Sequence, residues 1–241
     1  MPTSWSECTF LKAEKISPNT QLFFFKVDTN FSFIAGQFIT FDLPVSEKRS
    51  QRWKSFSIAN SSFDTNVIEL CISHVDGGLA TNFLFQEMKV GTKLKFKGPD
   101  GQFVFHEKNK DKNHIFICTG TGIVPCRSIL ITLLANCKSE NIQHHLIFGT
   151  RFANGILYEE ELKMWDNSNS HFRYDICLSK DPQRMDVYHG YVHQIYFDLY
   201  KDPSPNNIFY ICGWQNMVDE AVENLKQLGY SPDQIQIELY G

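Results

Sequence analysis

Thr119-Gly120-Thr121-Gly122-Ile123-Val124-Pro125 is the stretch that decides the fold of the second half of this chain. It follows the apolar run His114–Cys118, which reads as a strand, and opens the run Ile123–Cys137, which reads as a helix. Two glycines let the backbone approach an anion closely. The first turn of a helix offers unpaired N–H groups and a positive dipole end, so a pyrophosphate fits there. Pro125 stands near the helix start, where it forfeits no intrahelical bond. A bare G-x-G occurs in many βα turns, whereas strand, G-x-G-x-x-P and helix in that order is more specific. Ile123, Cys126, Leu130, Leu134 and Cys137 fall on one stripe of the helix.

Downstream, strand-like and helix-like runs alternate: His144–Gly149, Tyr158–Trp165, Tyr174–Leu178, an element of undecided type near Val192–Leu199, Ile208–Cys212, Met217–Leu228 and Ile235–Tyr240. Met217, Ala221, Leu225 and Leu228 share one stripe, and Gly229 is a C-cap candidate. This alternation predicts a doubly wound parallel sheet with helices on both faces. Upstream the pattern changes. Thr20–Val27 is rich in β-formers; Ile68, Leu70 and Ile72 alternate with Glu69, Cys71 and Ser73; Leu94 and Phe96 alternate with Lys93, Lys95 and Lys97. Such strands, with Gly and Pro between them, predict a small antiparallel barrel or sandwich. One helix interrupts them, from about Leu79 to Met88, after Gly77-Gly78. The charged run Glu107–Lys112 reads as a linker, so the expected division is a β barrel over residues 1–109 and an α/β domain over 110–241.

The 241 residues are 42% hydrophobic and 21% charged, with 23 Lys+Arg against 27 Asp+Glu. A net charge of −4 provides no broad basic field for nucleic acid. No apolar run approaches the roughly 18–20 residues of a membrane helix, and Met1–Ser17 has neither the charged nor the apolar region of a leader. The chain is therefore expected to be cytoplasmic, and it is expected to be monomeric. Seven cysteines, at 8, 71, 118, 126, 137, 177 and 212, lie mostly inside apolar runs and form no C-x-x-C pair. They read as buried, reduced thiols. His74, His114, His144 and His145 have no metal-ligand spacing, so structural or surface roles and no metal site are expected.

Taken in order, further segments resemble the ferredoxin–NADP reductase superfamily. Gly36-Gln37-Phe38 resembles its G-Q-[FY], Lys54-Ser55-Phe56-Ser57 its R-x-Y-[ST], Gly77-Gly78-Leu79-Ala80-Thr81 its G-G-x-x-[ST], and Gly98-Pro99-Asp100-Gly101-Gln102-Phe103 its G-P-x-G-x-F. In the second half Gly149-Thr150-Arg151, Leu157-Tyr158 with Glu161-Leu162, Ser179-Lys180, Gly190-Tyr191-Val192, Cys212-Gly213 with Met217, and Glu238-Leu239-Tyr240 complete the series. The resemblance runs nearly end to end and implies an FAD-binding barrel followed by an NAD(P)-binding domain.

What the resemblance implies for residues follows motif by motif. Ser57 would hydrogen-bond flavin N5, with Cys212 and Glu238 around the nicotinamide and Tyr240 over the isoalloxazine. Taken alone, Cys212 is equally a buried strand cysteine and Tyr240 an edge-strand residue. Thr81 and the amides of Gly78–Thr81, after Gly77 and through Leu79 and Ala80, would hold the FAD pyrophosphate. Gly120, Thr121, Gly122 and Pro125 would hold that of the nucleotide. Lys54 stands where Arg is usual and Phe56 where Tyr is usual, which removes a guanidinium fork and a hydroxyl. Ser55 lies between them, and Arg52, read as one strand repeat from Lys54, would assist or else be an exposed edge arginine. Arg151, Ser179, Lys180 and Gly213 would line the nucleotide site. Lys180 and Arg184 favour NADPH slightly over NADH.

The implied function is an FAD-dependent oxidoreductase passing hydride from NADPH or NADH to flavin N5, and electrons onward to a separate ferredoxin or flavodoxin. With the length so divided, no fused iron–sulfur, haem or FMN domain is expected. Alternatives are a reductase that releases reduced free flavin, the reductase component of a multicomponent oxygenase, and a non-catalytic nucleotide-binding subunit.

Overall fold

The computed structural model describes residues 4–27, 31–61, 66–136 and 141–240; Cys137, the end of the predicted helical stripe, lies outside them. The chain forms two compact units. One runs to Val104 and includes Arg127–Thr132, and the other takes Phe105–Cys126 and the residues from Leu133 onward.

In the first unit β1 (Ser6–Ser17), β2 (Thr20–Val27), β3 (Phe38–Asp42), β4 (Trp53–Ser57), β5 (Val67–Ser73) and β6 (Lys93–Asp100) pair antiparallel in the order β4-β3-β6-β1-β2-β5. The two edges meet. Ile58, just past β4, bridges Leu70 of β5; Ala59 N donates to Glu69 O at 2.8 Å; and the Asn60 side chain donates to Val67 O and accepts from Glu69 N. The sheet is thus a closed barrel, the first of the two predicted alternatives, and closure removes its exposed edges. Phe23, Phe25, Ile39, Phe41, Leu43, Leu70 and Phe96 fill it. Leu94 and Phe96 point inward and Lys93 and Lys95 outward, as their alternation predicts. The helical stretch is α2 (Leu79–Asn82) continued by a π turn, Phe83–Glu87. A short α1 (Arg49–Arg52) precedes β4.

In the second unit β7 (Asn113–Thr119), β8 (His144–Thr150), β9 (Phe172–Leu178), β10 (Tyr188–His189), β11 (Asn207–Trp214) and β12 (Ile235–Tyr240) are parallel, in the order β10-β9-β8-β7-β11-β12. Ile115, Ile117, Ile147, Phe209 and Ile211 pack with α5 (His193–Leu199) and α6 (Gln215–Gln227). Cys118, of opposite parity, meets Cys126 of α3 (Ile123–Asn136). Both faces are therefore covered, which is why the β7 run is apolar without alternation. The undecided element near Val192 is α5. The predicted run from Tyr158 starts helical one residue later, as α4 (Glu159–Ser168), with Tyr158 itself left-handed at φ 55°. Gly229 has φ 96° and donates to Lys226 O, as a C-cap requires. The charged run Glu107–Lys112 begins as a 3-10 turn whose Asn109 is only 4% exposed.

Candidate active site

Chain order reverses between β7 and β11, and crevices outside the carboxyl ends of strands at such a point bind ligands. The G-x-G turn lies there, and its two glycines have different reasons. Gly120 has φ 54° and open space where a Cβ would stand; a Cβ on Gly122 would lie 2.2 Å from Cys212 O. On Gly213 it would lie 2.4 Å from Thr119 Oγ1 and 2.7 Å from the Met217 methyl. The turn is thus pressed onto Cys212-Gly213, with Pro125 in the first turn of α3 behind it. The buried Thr119 hydroxyl has no hydrogen-bond partner among the described residues. Sequence reasoning passed over Thr119, whose only signal is its place just before the glycines.

Across β7, β11 and β12, Cys118, Cys212 and Glu238 stand in register on one face. Burial pushes the Cys212 thiol well up, the charge of Glu238 adds to it, and a hydrogen bond with the Tyr240 side chain opposes it. Cys126 is raised in the same way, by burial first and then by its hydrogen bond to Cys118. Cys212 is thus a neutral thiol, suited to packing and polarisation rather than nucleophilic attack. Three of the four predicted catalytic residues, Cys212, Glu238 and Tyr240, are brought together. The fourth, Ser57, belongs to the barrel.

At the ends of β8 and β9, Ser179 N donates to Thr150 O and Lys180 N to Arg151 O, so Arg151, Ser179 and Lys180 form one corner. The Arg151 and Lys180 side chains are exposed and make no ion pair among the described residues.

In the barrel, β3 and β4 pair Phe38 with Ser57, Ile39 with Phe56, Thr40 with Ser55 and Phe41 with Lys54. Thr40 and Ser55 share a 2.9 Å hydroxyl hydrogen bond, Phe56 packs on the core, and Ser57 is 4% exposed. Gly36, with φ 98°, must be glycine, since a Cβ would meet Phe103 O at 2.0 Å; the G-Q-F and G-P-x-G-x-F segments therefore touch. Gly77 has φ 72° and open space beside it. The Thr81 hydroxyl accepts from Val75 N at 3.1 Å and braces the turn in which Gly78 caps α2, leaving the amides of Leu79 and Ala80 without intrahelical acceptors.

Residues 7–105 match the oxidoreductase FAD-binding domain, and residues 116–223 match the oxidoreductase NAD-binding domain. The chain belongs to the ferredoxin–NADP reductase superfamily. Its two modules are an FAD-binding and an NAD-binding domain of oxidoreductases, which take FAD and a nicotinamide dinucleotide. The phenol hydroxylase P5 protein of Acinetobacter pittii is 31% identical over 227 residues, 92% of this chain and 61% of that protein. Ferredoxin–NADP reductase B of Sorangium cellulosum is 29% identical over 218 residues, 87% of this chain and 86% of that one. The crystal structure of the Amycolatopsis cytochrome P450 reductase GcoB superimposes with a TM-score of 0.88 at 25% identity, covering 98% of this chain and 69% of that one. The chain thus spans 61% of the length of the Acinetobacter relative it matches.

Each unit offers room for its own cofactor: open space beside Gly77 in the barrel and, in the α/β unit, open space at Gly120 and a buried Thr119 hydroxyl without a partner among the described residues. Two arginine readings need correction. Arg52 is not on a strand with Lys54; it ends α1, and its guanidinium grips the Asp42 carboxylate through Nε at 2.5 Å and Nη2 at 3.0 Å. Arg184 is closed off by Glu159 and Asp186, so its charge is spent within the protein. Its guanidinium holds the Glu159 carboxyl below the usual range. Asp42 neutralises Arg52, and Glu159 with Asp186 neutralises Arg184, so neither guanidinium is left for an external phosphate. Among the described residues, no helix is long and apolar enough to cross a membrane.

Proposed function

We propose that this chain takes hydride from NADPH, or less well NADH, at flavin N5, and delivers electrons to a separate small redox protein, a ferredoxin or flavodoxin. The observation that carries the reading is the registered pair Cys212–Glu238, with Tyr240 on Cys212, beside the glycine turn of the sheet's switch point. Bound FAD supplies the hydride-accepting and electron-releasing chemistry. In this reading the chain positions and insulates. Ser57 offers a hydroxyl to N5, with Lys54, Ser55 and Phe56 along the flavin and the Gly77–Thr81 turn at its pyrophosphate. Gly120–Gly122, Pro125 and Gly213 cradle the dinucleotide. Glu238 orients the carboxamide and holds a proton near it, Cys212 packs against the ring, and Tyr240 covers the site until the nicotinamide enters. Arg151 and Lys180, two cations at the Ser179 corner without an ion pair among the described residues, favour a 2′-phosphate. The functional division is 1–109 and 110–241.

A second reading, the reductase component of an oxygenase, is favoured by similarity to the phenol hydroxylase P5 protein. Anaerobic titration of the purified protein with NADPH tests the core of both. The expected result is a yellow protein with about one FAD per chain that bleaches on titration and then reduces ferricyanide. A colourless protein that turns over added FMN would instead make flavin a substrate.

A further inference from the structure

Three of the four tryptophans have ring or cation partners. Trp5 and Trp53 meet edge to face with centroids 5.0 Å apart, Arg49 lies over the Trp53 ring, and Trp165 meets Phe172 at 6.1 Å. Trp214 has neither kind of partner among the described residues and is 73% exposed. Tryptophan is highly buried on average, so a bare ring beside a ligand crevice calls for an occupant.

Trp214 is the last residue of β11, at the carboxyl end of the sheet, and its register partner on β12 is Tyr240. Successive side chains of a strand alternate between faces, so residues two apart share one. Cys212 and its partner Glu238 therefore form one row of a face, and Trp214 with Tyr240 forms the next row outward, about 6–7 Å further along. The inner row is covered, with Cys212 at 0% exposure and Glu238 half-buried. The outer row is aromatic on both strands.

Such a corner selects for shape and charge together. Two aromatic side chains offer flat faces, and the face of an indole carries a negative potential that attracts a cation. The Glu238 carboxylate, one row inward, acts with the same sign. Neither β11 nor β12 contains a lysine or arginine to answer them. The corner therefore suits a planar cation. Of the two forms of the nicotinamide ring only the oxidised one is a cation; the reduced ring is neutral.

Given the proposed place of the nicotinamide at Cys212 and Glu238, we propose that Trp214 is a binding residue whose indole face favours the oxidised ring over the reduced one. Product inhibition by NADP+ is then built into the ring end of the site, and Trp214→Leu relieves it. Calorimetric titration of the FAD-loaded protein tests this with three unreactive ligands: NADP+; tetrahydro-NADPH, whose ring is neutral and gives up no hydride; and 2′-phospho-AMP, which lacks the ring. Trp214→Leu keeps an apolar side chain at an exposed position. It should weaken NADP+ about fivefold, tetrahydro-NADPH less than twofold and 2′-phospho-AMP not at all, and Trp214→Phe should restore part of the NADP+ affinity. Equal losses for NADP+ and tetrahydro-NADPH would show that the indole only fills space. Unchanged affinities with a raised KM for the protein acceptor would make Trp214 part of that partner's docking surface; either result overturns the proposal. Glu238→Gln tells this failure from that of the nicotinamide placement. If Glu238→Gln weakens NADP+ and Trp214→Leu does not, the role of Trp214 falls and the placement stands. If neither variant weakens NADP+, the placement falls and the role of Trp214 with it.

Discussion

Replacing Gly122 by alanine separates the two reasons for glycine in the G-x-G turn. The added Cβ would stand 2.2 Å from Cys212 O, 2.6 Å from Cys212 C and 2.9 Å from Gly213 N. Relaxed carbon contacts lie at roughly 3.5–4.0 Å, so the turn must withdraw from β11 by roughly 1 Å or more. All three neighbours are backbone atoms, and no side chain can rotate aside. Overpacking of this kind costs about 1–3 kcal/mol. At about 2–4 °C per kcal/mol for a chain of this size, Tm should fall by about 2–12 °C. The same displacement moves the first-turn amides of α3 away from Cys212, and an error of about 1 Å near the reacting atoms slows hydride transfer about 100-fold. Gly120→Asn is the matched control. Its φ of 54° is one asparagine tolerates and nothing lies within 4 Å of its Cβ position, so its cost should stay below about 1 kcal/mol. Thermal melting and anaerobic stopped-flow reduction by NADPH read both effects. If Gly122→Ala melts and reacts like wild type, or if Gly120→Asn is as damaged as Gly122→Ala, the assignment of close approach to Gly122 is wrong.

Lys180→Ala and Arg151→Ala should each raise KM for NADPH at least tenfold more than KM for NADH, whereas Arg184→Ala should leave that ratio unchanged; steady-state kinetics with both nucleotides decide it. Tyr240→Ser should tighten nucleotide binding and shift the flavin spectrum, and unchanged affinity and spectrum would remove Tyr240 from the site. Burial lowers His114 to about 4 and His144 to about 3, from 6.5. Between those values and 6.5 the unfolded chain binds more protons than the folded one, so stability is full above that window and drains away as pH falls through it. Melting followed from pH 7 to 4 should show the loss, and His144→Phe should flatten the curve.

How far the sequence carried the reading depended on whether a residue's neighbours were local. The α/β alternation, the α6 stripe and the Gly229 cap depend on spacing within one element, and the structure has them where spacing puts them. The stripe of α6 shifts slightly, with Val218 fully buried and Met217 and Leu228 half-buried. Closure of the barrel through Ile58 and Leu70 depends on strands meeting at a distance, and sandwich and barrel share the same alternation. Arg52 was misjudged because its partner Asp42 lies 10 residues away; for Arg184 the local Asp186 was in view, and what spacing did not show was Glu159, 25 residues away. Asn109 looked like a solvated linker residue among lysines, yet it is only 4% exposed and its carbonyl stands 3.1 Å from His114 Nε2.

The seam that closes the barrel begins at the residue after Ser57 and consists of main-chain bonds plus the Asn60 amide. Every member of that seam comes from the polypeptide, so closure of the ring draws on no bond to a cofactor. The flavin side of this protein is a preorganised receptacle, and filling it does not also have to meet the entropy of forming it. Cofactor exchange follows directly: FAD stripped from the protein leaves a folded receptacle, and FAD or a modified flavin added back restores a loaded one.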